Sequence, residues 1–144
     1  MRQPLPLATG PTFAVPFAGP VCAGFPSPAD DYLEEALDPA RLIVTNPTAT
    51  FMWRVAGISM VRAGINDGDY IVVDRSLVPR AGDVVVAVID NLFSVKRVVK
   101  LRGGRLALDF ADENRTPLIL AEMSEALIWG VVTWSLTPHR PVTR

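Results

Sequence analysis

A chain of 144 residues, 49% hydrophobic and 20% charged, is long enough to bury one core and too apolar to stay disordered. Its net charge of −1 gives no electrostatic footprint for DNA or RNA, and it has no run of about 18 apolar residues to cross a membrane. A single cysteine, Cys22, excludes an internal disulfide; with a single histidine, His139, it leaves no metal-ligand cluster, and no cofactor is implied.

Residues 1–26 read as a flexible arm with no period of 2 or 3.6. Pro4, Pro6, Pro11, Pro16 and Pro20 interrupt it, which favours extended backbone and rules out the helical core of a secretory signal. A cytoplasmic location is therefore expected. Residues 27–37 (SPADDYLEEAL) predict a short helix. Ser27 suits the N-cap, Pro28 the first helical position, and Asp30 and Asp31 the positive end of the dipole. Pro39 is expected to end that helix.

From there the pattern is that of strands. The runs 51–57, 70–74, 83–89, 92–100, 105–110 and 127–136 are short, rich in Val and Ile, and separated by turn signals. Asp90-Asn91 suits a tight hairpin, and Arg102-Gly103-Gly104 the turn after it. The links are too short for crossover helices, so an antiparallel β domain is expected over 27–144. Arg97, Lys100, Arg102 and Arg105 fall in a strand-and-turn region and read as a solvated edge.

A hydrolase needs a nucleophile and a group to take its proton. His139, in a proline-flanked tail, is a poor base candidate, which leaves a serine–lysine dyad. Ser59 stands in Gly57-Ile58-Ser59-Met60, directly after a strand and before VRAG, which suits a turn of helix. There the backbone N–H groups of Ile58 and Ser59 are candidates for an oxyanion hole. Alternation along LFSVKRVVK places Ser94, Lys96 and Val98 on one face, with Phe93, Val95, Arg97 and Val99 on the other. One of Lys96 and Arg97 should point outward, and the other should sit among apolar neighbours. A lysine in water titrates at about 10.4, and an apolar cleft disfavours its charge, bringing it toward the range of a useful base. Each residue alone is more often structural: G-x-S is a common tripeptide, and an edge-strand lysine blocks aggregation.

Their order and company carry more. GFPSPADDYLEEALD, ATFMWRVAGISMVRAGINDGDYIVVD, RAGDVVVAVIDNLFSVKRV and IWGVVTW resemble, in sequence order over roughly residues 20–134, the UmuD/LexA family of self-cleaving serine–lysine peptidases. The resemblance implies a mainly β, LexA/signal-peptidase-like antiparallel domain with an extended N-terminal arm. It assigns Ser59 as nucleophile, Lys96 as base, and Ala23–Gly24 as the bond cut, with Phe25 and Pro26 following. It further implies a homodimer and cleavage stimulated by a RecA–single-stranded-DNA filament. The product would be the accessory subunit of a UmuC-like Y-family polymerase in SOS translesion synthesis, with no direct nucleic-acid binding. Two departures stand out: Ala-Gly at the cut where UmuD usually has Cys-Gly, and Ile58 where an acidic residue is common. The missing helix-turn-helix segment favours the mutagenesis branch. The catalytic half of a LexA-like or phage-type repressor, and a non-enzymatic interaction module, are the alternatives. Trp53, Trp129 and Trp134 read as core or dimer-seam residues, and Cys22 as a small subsite filler.

Overall fold

The computed structural model describes residues 14–17, 19–21, 23–24, 34–110, 114, 116–120 and 128–140. Among these, seven strands form one antiparallel sheet: β3 (Thr50–Arg54), β4 (Tyr70–Asp74), β5 (Val84–Ile89), β6 (Leu92–Lys100), β7 (Leu106–Asp109), β8 (Leu118–Ile119) and β9 (Ile128–Leu136). Their order across the sheet is β3-β4-β9-β5-β6-β7-β8. Two more strands, β1 (Val15–Phe17) and β2 (Glu34–Leu37), pair only with each other.

The apolar run VVVAVI in β5 lacks strand alternation because both faces of β5 are covered. One face packs in a cluster with Val55, Met60, Ile65, Ile71, Val73, Val86 and Trp129. The other joins Val85 and Ala87 to Val98, Leu108 and Val131. Fully burying each such side chain contributes about 1.5–3 kcal/mol. The β5–β6 hairpin closes on Asp90 (φ 52°) and Asn91 (φ 62°), the left-handed pair that a two-residue turn between twisted strands requires.

Strand β9 serves both clusters because its register slips twice. Val86 faces Gly130 while Ala87 faces Ile128, leaving Trp129 as an extra residue. Val72 faces Trp134 while Val73 faces Val132, leaving Thr133 extra. Such bulges re-aim side chains. Trp129 thereby joins the first cluster, between Phe51 (ring centroids 5.0 Å), Trp53 (5.4 Å) and Phe93 (5.9 Å). Trp53 and Trp129 are thus core residues, whereas Trp134 is 40% exposed.

Three expectations need correction. Residues 34–37 of the predicted helix form strand β2, in register with the arm (Val15 opposite Leu37, Phe17 opposite Glu34); 27–33 lie outside the described residues. Pairing with β1 overrides the local helix signal. Pro39 begins a helix rather than ending one: α1 spans Pro39–Ile43. Asp38 caps it, its Oδ1 accepting from the N–H of Ala40 at 2.9 Å and of Arg41 at 3.4 Å. A proline has no N–H to lose at a first helical turn, so the same residue suits a start as well as a stop. The run 51–57 also forms a shorter strand than expected, β3 ending at Arg54 rather than 57.

Candidate active site

Ser59 lies in the connection between β3 and β4. Backbone pairs close the neck of that connection: Val55 N–H donates to the Asp69 carbonyl and Gly68 N–H to the Val55 carbonyl, both at 2.8 Å. Past the neck the chain turns at Gly57 (φ 105°), exposes Ser59, and enters a 3-10 turn over Val61–Ala63. Met60 and Ile65 anchor the segment in the core, with Ile65 N–H donating to the Met60 carbonyl at 3.1 Å. Among the described residues, the N–H groups of Ile58, Ser59 and Met60 have no acceptor. Ile58 itself is 74% exposed.

A pocket of about 280 Å³ opens beside Ser59, walled by β3 (Trp53), the loop after it, and Phe93, Ser94 and Val95 of β6. Lys96 follows on β6, opposite Val85 of β5, and is half-buried, while Arg97 is exposed, as alternation requires. The Lys96 ammonium donates to Ser94 Oγ at 2.6 Å and to the Val95 carbonyl at 3.2 Å, and lies 5.5 Å from the centre of the Phe110 ring. Ser59 and Ser94 thus line one pocket, and Lys96 is one hydrogen bond from its wall. Sequence reasoning placed Ser94 on the face of Lys96 but gave it no role. Its spacing of two positions along a strand was the available signal.

Ala23 and Gly24 are elsewhere. Both are exposed, and a Cβ added at Gly24 (φ 117°) would meet nothing within 4 Å. The segment stands in solvent rather than in the pocket. Cys22, Phe25 and Pro26 lie outside the described residues. Arg97, Lys100, Arg102, Arg105 and His139 are exposed, as expected of a solvated edge and a tail. Among the described residues, no helix is long and apolar enough to cross a membrane.

An antiparallel β protein with an exposed serine lining a pocket, and a half-buried lysine hydrogen-bonded to Ser94 in the wall of that pocket, has the parts of a serine–lysine hydrolase. The peptidase S24-like family model matches residues 16–133. Relatives include Protein ImpA of Salmonella typhimurium, 49% identical over 117 residues (81% of this chain and 79% of that one). Protein MucA of the same organism is 42% identical over 119 residues (83% and 81%). The LexA repressor of Syntrophotalea carbinolica is 35% identical over 131 residues, 88% of this chain and 61% of the repressor. The chain belongs to the peptidase S24-like family, and it is a self-cleaving serine peptidase of the UmuD-like, SOS-mutagenesis kind.

Proposed function

We propose that Ser59 and Lys96 cut the chain's own Ala23–Gly24 bond. The observation that carries the assignment is the shared pocket: Ser59 on one wall, Ser94 on another, and Lys96 hydrogen-bonded to Ser94. Neutral Lys96 takes the proton of Ser59 Oγ as that oxygen attacks the Ala23 carbonyl carbon. The N–H groups of Ile58 and Ser59 receive the oxyanion. The lysine then returns the proton to the Gly24 nitrogen, which leaves as an amine, and water hydrolyses the Ala23 ester on Ser59. Ser94 positions the lysine by accepting one of its hydrogens.

The exposed cut site makes arm docking the regulated step. Residues 1–26 act as the arm and 27–144 as the peptidase domain. The 35 residues from Gly24 to Ser59 reach about 115 Å at about 3.3 Å each, enough for cleavage within a copy or between copies. A RecA–single-stranded-DNA filament stabilises the docked arm, and the cut homodimer joins a UmuC-like Y-family polymerase in the cytoplasm. With a net charge of −1 the chain reaches DNA through these partners rather than directly.

At about pH 9–10, where hydroxide strips the lysine proton without a filament, the purified chain should slowly yield a product beginning at Gly24, seen by mass spectrometry. Ser59→Ala and Lys96→Ala should remain whole. An intact wild-type chain, or cutting by Ser59→Ala, sinks the proposal.

A further inference from the structure

Ser59 sits on the exposed stretch Ala56–Ser59, with core contacts resuming only at Met60. Among the described residues, one N–H of Gly57, Ile58 and Ser59 has an acceptor: Gly57 donates to Asp67 Oδ1 at 2.7 Å. Asp67 reaches ten residues back across the loop to make this bond. Its own backbone is held in a turn closed at both sides, Asn66 N–H donating to Asp69 Oδ2 at 2.7 Å and Asp69 N–H to the Asn66 carbonyl at 3.1 Å. That turn is continuous with the β3–β4 neck through Gly68 and Asp69, and Asp69 is buried.

We infer that Asp67 is a positioning residue for self-cleavage, holding Gly57 so that Ser59 Oγ and the following free amides keep one geometry. The inference rests on Ser59 being the nucleophile. With the Gly57 N–H occupied, the oxyanion donors are narrowed to the amides beyond it. Without the bond, the loop between Val55 and Met60 keeps its two ends but loses its middle support. A hydrogen bond to a charged acceptor is among the stronger kinds. Displacing a reacting group by about 1 Å is enough to cost roughly a hundredfold in rate.

Self-cleavage of the full chain, followed against pH, separates this role from a purely structural one. Asp67→Ala should lower the plateau rate about tenfold to a hundredfold, leaving the pH midpoint and the melting temperature close to wild type. Asp67→Asn, whose Oδ1 still accepts, should recover most of the rate; Asp67→Glu, too long by one methylene, should not. Amide hydrogen exchange at Gly57 should quicken in Asp67→Ala, a readout that needs no cleavage. A wild-type plateau in both Asp67→Ala and Asp67→Glu, or unchanged exchange at Gly57, overturns the inference. So does a rate loss matched by a collapse in melting temperature. Cutting by Ser59→Ala would instead overturn the nucleophile assignment.

Discussion

Asp74 shows how a single carboxylate can tie distant segments together. It is 2% exposed, at the end of β4. Burial by itself would raise its pKa, but hydrogen bonds from the Ser76 hydroxyl, the Asn46 amide and the Ser76 N–H outweigh it and bring the value below 3.8. The distances are 2.6, 2.8 and 2.7 Å. A carboxyl whose folded pKa is depressed contributes stability that is present above its unfolded value and lost as pH falls through the folded one. Part of the acid unfolding below about pH 4 should therefore vanish in Asp74→Asn. At neutral pH, Asp74→Ala should cost about 1–3 kcal/mol, because it strands the Asn46 and Ser76 donors. Urea melts of both variants at pH 7 and pH 3 check the pair of claims, and an unchanged acid limb in Asp74→Asn would count against them. At this scale the two residues of the proposed dyad were named from the sequence, and their neighbours Ser94 and Asp67 were given no role. Ser59 and Lys96 carry motif signals; Ser94 is marked only by its place two positions from Lys96 on one strand face, and the Gly57–Asp67 hydrogen bond is one that sequence spacing leaves unspecified.

At the scale of elements, legibility followed length and partner. The runs for β4 and β6 match the structure residue for residue, because five to nine Val- and Ile-rich positions outweigh local noise. Strands β1, β2 and β8, of three, four and two residues, were not predicted; so few positions show no period, and their pairing partners create them. The two slips in β9 were also hidden, since a bulge leaves no trace in composition. Gly130 marks one of them. A Cβ there would stand 2.6 Å from Val73 Cγ1, 3.3 Å from the Asp74 carbonyl oxygen and 3.4 Å from Arg75 Cγ. Gly130→Ala must push β9 off β4 or turn Val73, at about 1–3 kcal/mol. It should also disturb the Arg75–Trp129 contact, in which Arg75 Nε donates to the Trp129 carbonyl at 3.1 Å. Chemical denaturation should show a lower midpoint with an unchanged slope.

For the molecule as a whole, the topology separates the segment before the proposed cut from the sheet after it. The seven-stranded sheet and both core clusters fall within Thr50–Leu136, and β1 touches the kept part through β2 alone among the paired strands. Under the proposed cut at Ala23–Gly24, β1 would be removed and the sheet left whole. An isolated two-stranded ribbon is marginal in water, so its loss should cost less than about 1 kcal/mol. For a domain of this size that is a fall in melting temperature of no more than about 5 °C. The cut product and intact Ser59→Ala should therefore melt close together by calorimetry, while the β2 amides exchange faster in the cut form. A product melting more than about 10 °C lower would make the arm part of the core. Near-equal stability is what an irreversible switch of this type needs. The cut changes which surface is offered, and the folded domain persists to offer it.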